Sequence, residues 1–322
     1  MKRRFLHYFL LISFTLFSLF CFAQTSSVVY IDRQTKQMES EIVAGLSWIK
    51  WLYQNPLGEL SLDLLVKRKF VSEFYGKQMD KPSSVSKIEP FIKELQIDMS
   101  VYPQQDYSSF NQFFARKINP SARPIDKRSD VFVSPADGKI LAFETLRGSF
   151  LVKGIKFDVA RFVQNNTLAN SFVDGSLAII RLAPPDYHRF HFPASGKLSA
   201  LVKIGGAYFS VSPIALSAIA DIYLQNKREY LITSTELFGD VIMAEVGATM
   251  VGSIIQTYTT QTATKGQEKG YFKFGGSSVV LIFQKGKINF DKDLLKNTLD
   301  GYETKIKMGE RIGIAKSKKD EF

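Results

Sequence analysis

Phe132-Val133-Ser134-Pro135-Ala136-Asp137-Gly138-Lys139-Ile140-Leu141-Ala142-Phe143 reads as two apolar β-like runs around a turn, and it marks where the chain changes character. Downstream the pattern recurs as short glycine-punctuated runs at 177–182, 197–204, 241–246 and 279–283, with a helix interrupting them around 213–225. Upstream the periodicity is helical. From Glu39 to about Gly76, Ile42, Val43, Leu46, Ile49, Leu52 and Tyr53 share one period and Leu57, Leu60, Leu64 and Leu65 another, with Pro56 and Gly58 between them. A third short helix is expected over 86–95. Helices first and strands later argue for an α+β fold: N-terminal helices followed by a mainly antiparallel β-sandwich or barrel-like core.

With 322 residues and 45% hydrophobic content the chain can bury a substantial core. Its formal charge of +11 favours an anionic partner: nucleic acid, an acidic lipid surface or an anionic substrate. Charge alone does not choose among them. The single cysteine, Cys21, excludes an intramolecular disulfide and a cysteine-based zinc cluster. It sits in an uncharged run from Phe5 to Ala23 that follows Lys2-Arg3-Arg4, which reads as a signal peptide or signal anchor over 1–23. Cleavage is favoured by Ala23 and the polar switch at Gln24-Thr25-Ser26-Ser27. The expected division is this leader, an N-terminal helical part over 24–130 and a β-rich part over 131–322. Lys67-Arg68-Lys69, ending the second helix, is either a solvated helix end or a face for anionic headgroups.

Chemistry concentrates in three segments. His188 and His191 are packed into Pro184-Pro185-Asp186-Tyr187-His188-Arg189-Phe190-His191-Phe192-Pro193, where prolines stiffen a segment that carries two proton-transfer side chains. A pair of hydrogen-bonded structural histidines is the alternative. A metal site is not expected, because the prolines spoil the spacing that would aim both rings at one ion. The second segment, Ser134-Pro135-Ala136-Asp137-Gly138-Lys139, presents a carboxylate on what by itself is an ordinary turn. In the third, Phe274-Gly275-Gly276-Ser277-Ser278-Val279, two glycines free the backbone before a serine that starts an apolar strand; alone this too is a turn or bulge. Together they supply Asp, His and Ser, the set that makes a serine nucleophilic. There is no G-x-S-x-G elbow. A serine after a glycine pair suggests attack of Ser277 on the Gly276 carbonyl, with the ester eliminating and hydrolysing to an N-terminal pyruvoyl group.

Phe113-Phe114-x-Arg116, Ala122-Arg123-Pro124-Ile125, Ser-Pro-Ala-Asp-Gly at 134–138, Asp-Tyr-His-Arg-Phe-His at 186–191, Glu245-Val246-Gly247-Ala248-Thr249, Lys265-Gly266 and Gly-Gly-Ser-Ser at 275–278 resemble the phosphatidylserine decarboxylases in order and spacing. The resemblance runs from about Val28 to Gly313. It implies a self-processing triad of Asp137, His191 and Ser277, with His191 as general base and Asp137 orienting and stabilising its imidazolium. His188 corresponds to the histidine of the decarboxylation step. Asp186 and Gly275 are supporting residues. Cleavage between Gly276 and Ser277 would give a β chain of 24–276 and an α chain of 277–322. The pyruvoyl cofactor, made from Ser277, would form a Schiff base with the substrate amine and act as electron sink. Phosphatidylserine and an anionic membrane surface are the implied partners, not nucleic acid; a homo-oligomer is left open. The leader adds export across, or anchorage in, a membrane.

Two positions depart from the family pattern. Serine stands at 278 where threonine is common, and Ser212 stands in Phe209-Ser210-Val211-Ser212-Pro213 where asparagine is usual, which bears on headgroup specificity. The alternatives are a same-family decarboxylase of a soluble amino acid and a non-catalytic envelope-binding protein. Retention of Asp137, His191 and Ser277 argues against the latter.

Overall fold

The computed structural model describes residues 28–43, 45–55, 57–58, 74, 76–146, 150–152, 155–248, 253–275 and 277–316. The leader, most of the second expected helix with its basic end, Thr249 and Gly276 lie outside them. After β1 (Val28–Asp32) and β2 (Met38–Glu41) come α1 (Leu46–Gln54), α2 (Ile88–Glu94) and α3 (Phe110–Phe114). Next are β3 (Val131–Val133), β4 (Gly138–Phe143), the hairpin β5 (Phe150–Val152) and β6 (Ile155–Phe157), α4 (Val159–Val163), α5 (Asn166–Asn170) and β7 (Ser176–Leu182). Short strands β8 (Arg189–His191), β9 (Gly196–Leu198) and β10 (Val202–Ile204) lead to α6 (Pro213–Ala218) and α7 (Ile222–Gln225). The hairpin β11 (Arg228–Thr235) and β12 (Gly239–Gly247) precedes β13 (Ile254–Gln256), β14 (Thr262–Ala263), β15 (Glu268–Phe272), β16 (Ser277–Phe283) and β17 (Ile288–Phe290). Then α8 (Lys292–Leu299), β18 (Glu303–Ile306) and β19 (Arg311–Ala315) close the described chain.

The 11-stranded main sheet runs β14-β9-β11-β12-β16-β7-β4-β18-β1-β2, with β10 on β11. Its pairings are antiparallel except β1 on β18. Its order is open-ended, so the core is a sandwich rather than a closed barrel. β16 and β7 are buried along their whole length because the sheet is covered on both faces, which is why Ser277–Phe283 reads as a continuous β-branched and apolar run. Leu177, Ile179, Val280 and Ile282 point into one core, under α1 and α4 to α7. Ala178, Ile180, Val279 and Leu281 point into the other, with Phe190, Ile254 and Phe272 from the three-stranded sheet β13-β15-β8. Fully burying one such aliphatic side chain contributes about 1.5–3 kcal/mol.

One N-terminal expectation is corrected. Residues Met38–Glu41 are not helical but form the edge strand β2, paired with β1, which lies on β18 some 270 residues downstream. The helix starts only at Leu46. It buries Leu52 and Tyr53 and leaves Trp48 and Trp51 outside, their rings stacked at 5.1 Å. The expected strand over 197–204 is split into β9 and β10, and the expected helix over 213–225 into α6 and α7.

Candidate active site

Three connections converge at one end of the sandwich: the β3–β4 turn, the loop from β7 to β8, and the β15–β16 turn. The first carries Asp137, which immediately precedes β4 in a turn where the Ser134 hydroxyl donates to the Ala136 carbonyl at 2.7 Å. The strand β8 docks beside it, since the His191 N–H donates to the Pro135 carbonyl at 2.8 Å. Asp137 and His191 are thus brought together by their backbones. Their side chains bond elsewhere. The Asp137 carboxylate is gripped by both Arg123 Nε (2.8 Å) and Nη2 and accepts the Met308 N–H at 2.8 Å. His191 uses Nδ1 on the Gly266 carbonyl at 3.0 Å and Nε2 on the Tyr187 hydroxyl at 3.2 Å. A carbonyl only accepts, so Nδ1 carries the proton and Nε2 is the basic nitrogen. Asp137 acts on this ring through its field rather than through a hydrogen bond. Burial lowers the His191 pKa, opposed by the Gly266 bond and the charges of Glu268 and Asp137.

Gly266 stands at φ +82°, and a Cβ there would lie 2.2 Å from Ile125 Cδ1, so glycine is required to present this carbonyl. The loop is tied down by Lys265, whose Nζ donates to the carbonyls of Arg128 (2.5 Å), Val131 (2.7 Å) and Asp126 (3.3 Å).

His188 is fully buried against Phe114, with ring centroids 3.9 Å apart. Its Nδ1 donates to the Asp186 carbonyl at 2.8 Å, which again leaves Nε2 as the lone-pair nitrogen. Among the described residues that Nε2 has no hydrogen-bond partner. Its backbone carbonyl accepts the Phe272 N–H at 2.9 Å, and Phe274 packs on Phe114 with ring centroids 5.1 Å apart, so the ring borders the turn that leads into β16. Within that turn Gly275 has φ +137°, backbone that a side chain disfavours. Ser277 follows as the first residue of β16, between Gly247 of β12 and Leu182 of β7. It is 0% exposed, and its Oγ, too, is buried with no hydrogen-bond partner among the described residues. Unsatisfied buried polar atoms are few in folded proteins, and two of those among the described residues, His188 Nε2 and Ser277 Oγ, belong to segments that border this turn.

Burial holds the His188 pKa down to about 3, against an ordinary 6.5. The folded ring is therefore neutral where the unfolded one is charged, and the unfolded state binds the extra proton. Stability from this group is fully present above about pH 6.5 and is lost as pH falls toward about 3, at about 1.4 kcal/mol per pH unit. His191 adds in the same direction. Thermal unfolding followed from pH 7 to pH 4 should show this slope, and His188→Leu should flatten it; an unchanged slope would remove His188 as its source.

Asp186 accepts Lys139 Nζ at 3.0 and 3.2 Å and the Ala183 N–H at 2.7 Å. Ser212 is the N-cap of α6, its Oγ accepting the Ala215 N–H at 3.3 Å. Serine and asparagine cap equally well, so this departure leaves the local backbone unchanged. Arg123, Tyr187, Lys139 and the Gly266 carbonyl were not singled out by sequence reasoning. The only signal was their place inside the recurring motifs, because an ion pair formed across a fold has no local pattern.

The family model for phosphatidylserine decarboxylase matches residues 110–314. A phosphatidylserine decarboxylase proenzyme of Fusobacterium nucleatum is 50% identical over 295 residues, covering 90% of this chain and 98% of the relative. A proenzyme of the same description from Clostridium botulinum is 46% identical over 294 residues, covering 90% and 100%, and one from Clostridium perfringens is 44% identical over 287 residues, covering 88% and 98%. With these matches spanning the three converging connections and the sandwich that holds them, the chain belongs to the phosphatidylserine decarboxylase family and is a carboxy-lyase.

Proposed function

We propose that this carboxy-lyase is made as a proenzyme that cuts itself between Gly276 and Ser277, converts Ser277 into a pyruvoyl group, and decarboxylates phosphatidylserine to phosphatidylethanolamine. The observation that carries the reading is the pair of buried, unpartnered polar atoms, Ser277 Oγ and His188 Nε2, at the head of the central strand. In self-cleavage His191 takes the hydroxyl proton while Ser277 Oγ attacks the Gly276 carbonyl carbon. The C–N bond breaks, the freed amine takes the proton, and an ester joins the two residues. The Asp137 charge stabilises the imidazolium formed in passing. β-Elimination then expels Gly276 as the free carboxylate of the β chain and leaves a dehydroalanine at 277; water hydrolyses its imine tautomer, which releases ammonia and leaves the pyruvoyl group on a 46-residue α chain, 277–322. Because β16 stays hydrogen-bonded to β12 and β7, the two chains remain one body.

Residue 277 suits that group, being fully buried at the head of β16 with an Oγ that has no partner among the described residues, and the buried cation Arg116, whose charge reaches His188, favours an anionic substrate. The group supplies an electron-withdrawing carbonyl for the electrons left when carbon dioxide departs. His188, neutral at physiological pH with its proton on Nδ1, offers the Nε2 lone pair to take up a proton and pass it on.

The lipid part of the reading rests on the exposed apolar residues Trp48, Trp51 and Leu57 of the N-terminal part, Trp48 being 49% and Leu57 71% exposed. The basic leader brings this part across, or anchors it in, a membrane; among the described residues no helix is long and apolar enough to span one. The purified chain is expected to release carbon dioxide from phosphatidylserine in vesicles and none from free serine, and to float with those vesicles. High salt should weaken flotation only in part, by about 1 kcal/mol per basic residue near the surface. Trp48→Ser combined with Trp51→Ser should remove the salt-resistant part, weakening binding about tenfold or more. Equal turnover of free serine, with no flotation under any condition, would return the soluble-amino-acid reading.

A further inference from the structure

A row of buried charges crosses the main sheet on the face opposite Val279 and Leu281. Lys139 of β4 touches Asp186 at 3.0 Å and Glu41 of β2 at 3.4 Å. Glu41 in turn makes a two-pronged pair with Arg181 of β7, at 2.8 and 3.0 Å, and Arg181 makes another with Glu303 of β18, at 2.6 and 2.9 Å. The side chains of Lys139, Arg181 and Glu41 are only 4–5% exposed. None of these three residues takes part in the chemistry above, yet the row ends on the loop that carries His188.

The connection is a short chain of bonds. Lys139 fixes the Asp186 carboxylate, which also accepts the Ala183 N–H and so closes the Ala183–Asp186 turn. The carbonyl of that same Asp186 takes the proton of His188 Nδ1 at 2.8 Å. Arg116 adds a second tie to the turn by donating to the Pro185 carbonyl at 3.2 Å. Whichever group holds the Asp186 carbonyl in place decides which ring nitrogen of His188 is protonated and where the free lone pair points.

We propose that Lys139, held in place by Glu41, is a positioning residue for His188, fixing its Nδ1–H tautomer and keeping Nε2 on the reaction centre. The inference rests on the assignment of His188 to decarboxylation. Glu41 matters because a buried ammonium with a single carboxylate partner can be drawn off it, whereas one between two carboxylates is held from both sides. The strand β2, which precedes the tryptophan-bearing helix α1, is thereby part of the support of the site. A cluster that only stapled β2 to the sheet would affect stability and self-cleavage but leave the tautomer of His188 alone.

The test uses the full chain with 15N-labelled histidine, of which there are three. Long-range 15N–1H spectra report the tautomer, intact mass reports self-cleavage, and kcat and KM are measured on phosphatidylserine vesicles, with His188→Ala as reference. Lys139→Met is expected to cut itself as the unsubstituted chain does, to lose kcat about tenfold or more with KM within about twofold, and to lose the single Nδ1–H tautomer. Lys139→Arg should recover both readouts. If Lys139→Met does not fold, Lys139→Met with Asp186→Asn removes both charges and is expected to show the same two losses. Unchanged kcat and tautomer in the variant that folds, alongside an inactive His188→Ala, would overturn the proposal. Should His188→Ala keep its turnover, the assignment of His188 itself fails, and the tautomer signal alone then decides whether Lys139 positions the ring.

Discussion

Ser277→Ala is expected to leave one uncut chain with no decarboxylase activity, while folding as well as the parent. Removing Oγ removes the only atom that can attack the preceding carbonyl in the proposed cleavage, and with it the source of the pyruvoyl group. Most buried serines would lose a hydrogen bond on this change; Ser277 Oγ has none among the described residues, so nothing is broken. Relief of an unsatisfied buried hydroxyl makes the variant equal or slightly higher in Tm. Mass spectrometry should find the intact chain where the parent yields a 46-residue fragment. Two fragments persisting in Ser277→Ala would sink the cleavage assignment.

The second large effect separates the two histidines. His191→Ala should slow self-cleavage by about 10²–10⁴, the usual contribution of a general base. His188→Ala should still cut itself substantially and then turn over phosphatidylserine slower by a similar factor. Equal loss of both activities in both variants would refute this division of labour. Asp137→Asn is also expected to block cleavage, but it strips a buried Arg123 of its carboxylate, a change that costs about 3–5 kcal/mol. Its Tm must therefore be read beside its rate. Loss of cleavage in a fully folded Asp137→Asn chain supports the field effect on His191.

The strands were legible where burial made them so. β4, β7, β12 and β16 are covered on both faces, and their runs are apolar enough to be read within a residue or two. β2 was missed because Met-Glu-Ser-Glu has no strand pattern of its own. Its conformation is imposed by β1, and through β1 by a strand near the opposite end of the chain. β8 hid behind its flanking prolines, and α6 and α7 were read as one helix because a short break leaves the apolar period nearly intact.

The sequence by itself determined the α+β order of elements, the family, and the residues to which the proposed chemistry is assigned: a rare histidine pair, a turn carboxylate and a serine after two glycines. Those are matters of residue type and spacing, which survive without coordinates. Only the tertiary structure decided that Asp137 is held by Arg123, that Gly266 and Asp186 set the tautomers of His191 and His188, and that Glu41, Lys139 and Arg181 form one buried row. The physical reason is that a charge or a ring proton is placed by whatever partner remains when water is excluded, and Glu41 and Arg181 meet across 140 residues of chain.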